Sequence, residues 1–585
     1  MNDRVVILRS ERGGWLSFER PIRECVAWRT DRVAAALNEA SAATQAGYYV
    51  AGFVAYEAAS GLDSALTAHT PTRAPLVWLG VYEKPSLLPE LPSCDEPFEV
   101  GAWQPSVTPA QYRAAIGRIR DWIRAGDTYQ VNYTYRLRAR FRGSAWALFL
   151  ALQQAQRSVH SAFVRLPNLT VCSVSPELFF SVDGERIVSR PMKGTAARGW
   201  TSEEDGARAD ALRHSPKERA ENVMITDMIR NDLGRIARFG SVRVVRAFET
   251  EPYPTVWQMT STVEARTTAS LSETMRALFP CASVTGAPKV RAMQIVRALE
   301  PDPRGLYTGA IGYWSPAAGS EKRRAEFNVA IRTAVIGLEQ PDSIEYGVGG
   351  GIVWDSDPDG EYEECLAKAR VLSAPPRQPF RMLETMLWTS QAGYALLDRH
   401  LRRMADSAAY FSFPFDPETL TARLNDLAAG LDKGSWRVRV LLAENGEATV
   451  ETVREPERDP NAVLRLAFSA DPVDIETPFL YHKTTFRDVY ERARASVPAH
   501  DDAILYNARG EVTETTVANL VFEIGGRKVT PPVRCGLLPG TFRAELVASG
   551  QVEERVVTKA EAAAADRVFA VNSVRGWMRA RLEHG

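Results

Sequence analysis

The chain has 585 residues, more than one hydrophobic core normally serves, so two or more domains are expected. Its 71 Lys and Arg against 72 Asp and Glu leave a net charge of −1, and 45% hydrophobic with 24% charged residues is ordinary for a globular enzyme. That balance argues against a nucleic-acid-binding protein and against an acidic disordered tail, and no charge-free apolar run is long enough to span a bilayer, so no membrane association is expected.

The opening Met1-Asn-Asp-Arg-Val-Val-Ile7 lacks the apolar core of a secretory signal. The six cysteines are scattered with no CxxC pair, which predicts reduced thiols and a cytoplasmic location. Along the chain, the Pro-rich stretch 85–105 reads as a loop. Apolar residues at helical spacing predict helices over 211–233 and 290–299. Strand-type runs follow at 329–335 and 344–353. Residues 361–372 read as a helix, and the Ser373-Ala-Pro-Pro-Arg-Gln-Pro379 that follows is a Pro-rich extended connector. The fold class is α+β: a large domain over 1–372, a linker over 373–379 and a smaller domain over 380–585.

Carboxylates, a lysine and a glycine-rich strand stand out in the first domain. Ser215-Pro-Lys-Glu218 predicts a capping box with proline at the first helical position, which accounts for Glu218 structurally. Glu221 shares a face with the apolar Ile225 and Met228, and a carboxylate on a buried face needs a partner or a cation. Tyr346-Gly-Val-Gly-Gly-Gly-Ile-Val353 carries four glycines, which weaken a strand unless something approaches its backbone. The helix after it places Glu361 and Glu364 three apart, on one face. Carboxylates from two helices suit a Mg²⁺ holding an anionic ligand; plain solvated helix faces remain the alternative. Lys193, between proline and glycine in Arg190-Pro-Met-Lys-Gly-Thr195, is a cation presented on a rigid turn, or an ordinary loop lysine.

The segments Gly126-Asp-Thr-Tyr-Gln-Val-Asn132, Ser175-Pro-Glu-Leu-Phe179, Pro191-Met-Lys-Gly-Thr195, Lys217-Glu-Arg-Ala-Glu-Asn222, Arg230-Asn-Asp-Leu-Gly-Arg235, Thr285-Gly-Ala-Pro-Lys-Val-Arg-Ala-Met293 and Gly349-Gly-Gly-Ile-Val353 occur in this order. Together they resemble the chorismate-utilising family, which includes anthranilate, isochorismate, salicylate and aminodeoxychorismate synthases, over residues from about 100 to 372. The resemblance implies the large α/β sandwich of that family and chorismate as substrate. It implies Glu221 and Glu364 as Mg²⁺ ligands, assisted by Glu218 and Glu361, and Glu177 as a general acid/base. Tyr307, Arg332 and the backbone at Gly349 and Gly351 would bind substrate carboxylates, with Thr195 beside them. Lys193 separates the members: aminodeoxychorismate synthases resemble Pro-Ile-Lys-Gly-Thr here, whereas anthranilate synthases typically carry alanine. The implied role of Lys193 is a nucleophile that adds to C2 of the ring before ammonia enters at C4. No Gly-x-Cys-x-Gly elbow is present, so ammonia is expected from a separate glutamine amidotransferase subunit or from free ammonium.

In the second domain Lys483, in Tyr481-His-Lys-Thr-Thr485, precedes a helical run at 486–495. Glu514 follows in Glu511-Val-Thr-Glu514, and Gly536-Leu-Leu-Pro-Gly-Thr-Phe-Arg543 opens a helix whose N-terminus is a ready anion site. Lysine, acid and phosphate cup are what pyridoxal 5′-phosphate requires. Their order resembles the fold-type IV, class IV aminotransferase-like family, whose fold has two subdomains. That resemblance implies Lys483 as the Schiff-base lysine and proton shuttle, and Glu514 as partner of the pyridine nitrogen. It also implies Arg403, the Thr541 and Phe542 amides and Ser573 around the phosphate, and it leaves open a homodimer through this domain. The expected function is two consecutive steps, amination of chorismate to 4-amino-4-deoxychorismate and elimination of pyruvate to give 4-aminobenzoate. Two alternatives stay open: a class IV transaminase as the second domain, or an anthranilate-forming first domain.

Overall fold

The computed structural model describes residues 3–10, 13–70, 74–317, 322–369, 372, 379–457, 459 and 461–583. Its contacts divide the chain into two units: Met1–Ala197 with Ala209–Arg377, and Arg198–Arg208 with Gln378–Gly585. The predicted linker 373–379 lies, apart from Pro379, outside the described residues.

Among the described residues, the first unit contains an eleven-stranded and a ten-stranded sheet. From the larger sheet Val6, Leu8, Phe18, Ala162 and Val164 meet Ala51, Phe53, Trp78 and Ile311 of the other in one shared core. The alternate residues point outward: Val5, Ile7 and Phe163 pack with the helices Pro109–Arg124 and Ala145–Gln156. On the far side Val50, Val54 and Leu79 pack with the helices Thr30–Gln45 and Leu271–Leu278. This is an α/β sandwich of helices, two sheets and helices, in which these strands are buried on both faces. The strand Ser343–Ile352 pairs antiparallel with Gln130–Gly143, with Gly349 opposite Thr134 and Gly351 opposite Asn132.

Three expectations are corrected locally. The predicted helix 211–233 is two helices, Ser202–His214 and Pro216–Gly234, because Pro216 disfavours helical geometry at Ser215, which instead caps the second one. The predicted strand 329–335 is broken into Arg324–Val329 and Thr333–Ile336, with Arg332 between them in the left-handed region at φ 49°. The stretch 85–105 holds the short strands Ser86–Leu88, Phe98–Val100 and Gln104–Pro105 as well as loop.

The second unit has two layers of its own. A four-stranded sheet that includes Met382–Thr389, Ser435–Leu442 and Ala448–Arg454 packs on the helices Leu397–Phe411 and Pro417–Ala429 around Met386, Met404, Leu424 and Val440. An eight-stranded sheet follows, in which Val463–Phe468 runs parallel to both Asp502–Tyr506 and Gly576–Leu582. The segment Arg198–Arg208 belongs to this unit by its contacts. Arg198 pairs with Asp205 at 2.7 Å and lies 4.3 Å over the Tyr410 ring, whose hydroxyl donates to the Gly199 carbonyl at 2.9 Å. Tyr410 in turn packs at a tilt against His482, ring centroids 4.3 Å apart, next to Lys483. Among the described residues no helix is long and apolar enough to cross a membrane.

Two candidate active sites

The first site forms where the strand Met192–Ala197, the helix Pro216–Gly234 and the glycine-rich strand converge. Asn222 ties helix to strand by donating to the Lys193 carbonyl at 3.3 Å. A Cβ at Gly351 would come within 2.6 Å of Lys193 Nζ and would overlap Gln130 Nε2, so glycine there makes room for the lysine. Gln130 Nε2 donates to Glu221 Oε2 at 3.4 Å. Burial lowers the Lys193 ammonium below its ordinary value, with Glu221 pulling the other way and Lys368 adding to the shift. Glu177 is buried, and desolvation pushes it up to about 7 against the opposing influence of Ser283, Lys193 and the Met192 amide. The Oε1 of Glu177 and the Oε1 of Gln130 are both buried and, among the described residues, have no hydrogen-bond partner. Native interiors seldom leave such atoms alone, so a polar ligand is their natural partner.

The carboxylates gather around this point. Burial raises Glu218, Glu221 and Glu361, and each is raised further by at least one other carboxylate of the cluster. Glu364, although burial acts in the opposite sense, is held below its ordinary value by Lys368 at 2.8 Å. Half of the predicted capping box forms: the Glu218 amide donates to Ser215 Oγ at 3.4 Å, while the Glu218 side chain belongs to the acidic cluster. In kind the donors suit a hard divalent cation. Among the described residues, no three carboxylate, imidazole or thiol groups already stand close enough to share one ion.

The other predicted substrate contacts divide. The Tyr307 ring lies against Gly347 and under the Arg136 guanidinium, 5.0 Å away. Arg332 donates to Gln156 from its left-handed backbone, a conformation that costs energy and concentrates at functional sites. Gly349 packs on Thr134, and its carbonyl accepts from Lys368 Nζ at 2.8 Å. Thr195 is exposed and gives its hydroxyl to Gln258 at 3.1 Å. Sequence reasoning passed over Gln130, Asn222 and Lys368; the first two sit inside quoted motifs, and only their contacts reveal a role.

The second site is a cavity of about 490 Å³, a volume suited to a small-molecule ligand. Lys483 is fixed by its carbonyl, which accepts from the Leu383 amide at 2.9 Å. Burial, reinforced by the Arg403 charge, lowers its ammonium to about 8, which leaves about a tenth of it neutral at pH 7. Glu514 accepts from Tyr490 Oη at 2.9 Å, the Leu538 amide at 3.0 Å and Asn519 Nδ2 at 3.1 Å. Burial raises it to about 7 despite those donors. Gly540 precedes the helix Thr541–Ala548, and a Cβ there would overlap Asn519 Oδ1. The Thr541 and Phe542 amides in the first turn have no intrahelical acceptor. Ser573 lines the same cavity and donates to the Thr385 carbonyl at 3.2 Å. Pyridoxal phosphate fits this set: a neutral-prone lysine, a buried acid and an open helix N-terminus.

Arg403 reaches the cavity, but its guanidinium is shared with Glu384 through bonds of 2.8 and 2.7 Å and with the Pro539 carbonyl at 3.1 Å. His400 Nδ1 is 2.6 Å from Glu384, and its Nε2 meets Thr541 Oγ1 at 3.3 Å. Glu384 thus orders Arg403 and, through His400, the start of the helix Thr541–Ala548, and it was missed in the sequence. Its signal was a charge at an inward position of the strand Met382–Thr389. Burial alone would raise Glu384, yet Arg403 and His400 hold it down to about 2. The stability this carboxylate contributes is therefore present above its ordinary value of 4.5 and is lost as pH falls toward about 2. Glu384→Gln is expected to cost the second unit about 3–5 kcal/mol at pH 7. Urea unfolding reads this as a lower midpoint, and an unchanged midpoint would remove the cluster from the account.

The sequence profile of chorismate binding enzymes matches residues 5–374, well over half of the chain. The chain belongs to the chorismate binding enzyme family. The amino-transferase class IV profile matches residues 381–582, so a class IV aminotransferase domain follows in the same chain. Over 306 residues the chain is 39% identical to aminodeoxychorismate synthase component 1 of Escherichia coli (strain K12), covering 52% of this chain and 64% of that protein. Over 280 residues it is equally 39% identical to anthranilate synthase component 1 of Cereibacter sphaeroides, covering 47% of this chain and 54% of that protein. The chain thus spans somewhat more than half the length of these relatives. Among solved structures, anthranilate synthase component I from Streptococcus pneumoniae TIGR4 shares the fold of the first unit, with TM-score 0.52 and 24% identity over 64% of this chain and 91% of that one.

Equal identity to two synthases means that overall similarity does not separate the reactions open to a chorismate binding enzyme. The position at which the sequence expectation separates the members is Lys193, with Glu177 and the four carboxylates as its neighbours. They stand together on the first unit, around the glycine-rich strand.

Proposed function

We infer that the chain converts chorismate and ammonia to 4-amino-4-deoxychorismate at the first site and releases pyruvate from it at the second, giving 4-aminobenzoate. The observation that carries this reading is Lys193 Nζ: a half-buried lysine with a lowered pKa, against Gly351 and beside Glu221 and Glu177, where an anthranilate-forming relative is expected to carry alanine. A neutral amine in that position is a nucleophile. It adds to ring C2 as the C4 hydroxyl leaves; ammonia then adds at C4 and the lysine departs from C2, so water is lost and pyruvate is retained. Glu221 and Glu364, with Glu218 and Glu361, would hold Mg²⁺. Bound there, the ion supplies Lewis-acid stabilisation of the substrate carboxylate. Arg332 and Tyr307 would bind substrate, along with the Gly349 and Gly351 backbone. The ammonia would come from a separate amidotransferase subunit. The six free cysteines fit a reducing, cytoplasmic setting.

Glu177, at about 7, is suited to protonate the departing C4 hydroxyl and later to take a proton from the entering ammonia. The acid form is populated below that value. At fixed free ammonia, kcat/KM for chorismate is therefore expected to fall as pH rises through about 7. Glu177→Gln should be slower by about 10²–10⁴-fold and lose this limb. A variant with the full wild-type profile would take Glu177 out of the chemistry.

At the second site Lys483 would hold pyridoxal phosphate, Glu514 would face its pyridine nitrogen, and the Thr541 and Phe542 amides with Ser573 and Arg403 would meet its phosphate. Bound so, the cofactor supplies an electron sink at the carbon bearing the amine. Lys483 would take the C4 proton of the substrate as the enolpyruvyl group leaves C3 as pyruvate. The direct test is purified aminodeoxychorismate supplied to the full chain. One pyruvate per 4-aminobenzoate is expected; turnover into a keto product without pyruvate would make the domain a transaminase.

A further inference from the structure

The strand Ser435–Leu442 alternates from Trp436 to Val440. Val438, Val440 and Leu442 enter the core of the small sheet, while Arg437 and Arg439 face the cavity of the second site. Their neighbours across the sheet keep the same side: Thr385 and Glu451 flank Arg439, and Val453 flanks Arg437, all lining the cavity. Two residues apart on one strand, the two guanidinium stems start about 7 Å from one another.

Of the other four cations lining the cavity among the described residues, three are committed, and the fourth, Arg575, stands 3.9 Å from Glu455. Arg403 is bound bidentately by Glu384, and Arg487 donates to the Thr516 carbonyl at 2.5 Å with its guanidinium 4.7 Å over Tyr490. Lys483 is reserved for the cofactor. Arg437 and Arg439 meet their acidic neighbours, Glu455 and Glu451, only at 3.9 Å, and both are close to half exposed. Their cost on ligand binding is small, since neither must break a short ion pair. A transaminase for a simple amino acid needs one carboxylate-binding cation, whereas 4-amino-4-deoxychorismate carries two carboxylates, on C1 and on the enolpyruvyl ether at C3.

We propose that Arg437 and Arg439 are the specificity determinants of the second site, gripping the two carboxylates of a ring dicarboxylate and turning its C4 amine toward Lys483. The proposal rests on the lyase reading above. Planar guanidinium groups suit carboxylates because they donate two parallel N–H bonds. Both arginines belong to the four-stranded sheet, whereas Thr541 opens the helix Thr541–Ala548, so the proposal assigns them to the substrate and not to the phosphate.

The test uses the full chain loaded with pyridoxal phosphate, with ammonium and Mg²⁺ left out. Chorismate is the probe, because it has both carboxylates and a C4 hydroxyl that cannot displace Lys483. It should perturb the visible absorbance of the bound cofactor saturably. Arg437→Gln and Arg439→Gln should each weaken that response about tenfold or more, and Arg439→Lys should restore part of it. KM for aminodeoxychorismate in pyruvate release should rise in parallel, with kcat changed less. Unchanged chorismate affinity and KM in both variants would overturn the proposal while leaving the lyase reading intact. Weaker pyridoxal phosphate binding with unchanged chorismate affinity would overturn it too, assigning the arginines to the phosphate. Absence of pyruvate release by the unmodified chain would instead defeat the reading on which the proposal stands.

Discussion

Lys193→Ala is expected to abolish formation of aminodeoxychorismate, lowering kcat/KM for chorismate by at least about a thousandfold, some 4 kcal/mol of barrier. The size follows from the role. A group that forms and breaks a bond to the substrate leaves no substitute when it is removed, unlike a group that only orients. Gly351 leaves the space for Nζ, and alanine fills less of it, so the fold should be retained. The same variant should release pyruvate from supplied aminodeoxychorismate at the wild-type rate, because Lys483 belongs to the other unit. Ammonia-dependent turnover surviving in Lys193→Ala, above all to anthranilate, would return the first unit to the anthranilate-forming reading.

Lys483→Ala is the mirror of that result. Chorismate and ammonia should then stop at aminodeoxychorismate, with pyruvate release down by at least about a thousandfold and the first step unaffected. Burial and Arg403 bring Lys483 to about 8, which equips it both to capture the cofactor and to carry a proton. Removing it takes away both tasks at once. The cavity should still bind pyridoxal phosphate through Thr541, Phe542 and Ser573, more weakly and without the covalent absorbance. Normal pyruvate release from this variant would exclude Lys483 from the chemistry.

Much of this was legible because it is local. The helix Lys289–Leu299 and the strand Ser343–Ile352 follow from apolar spacing and differ from the expected bounds by about one residue. The glycines of that strand signalled a close approach, and Lys193 beside Gly351 is one. What was not legible depends on contacts distant in sequence. Glu384 looks like a misplaced charge until His400 and Arg403 arrive from a helix sixteen and nineteen residues on. The break at Ser215 was signalled by Pro216, yet a window of apolar spacing runs straight through it. The left-handed turn at Arg332 has no sequence signature, because glycine, not arginine, is the usual residue there. The grouping of Arg198–Arg208 with the second unit comes from contacts such as those of Tyr410 and Asp406, more than two hundred residues away.

The central claim is that one chain carries chorismate through amination to 4-aminobenzoate. Chromatography of the products from chorismate, ammonium, Mg²⁺ and pyridoxal phosphate tests it most directly. Equal amounts of 4-aminobenzoate and pyruvate are predicted; anthranilate as the aromatic product would contradict it.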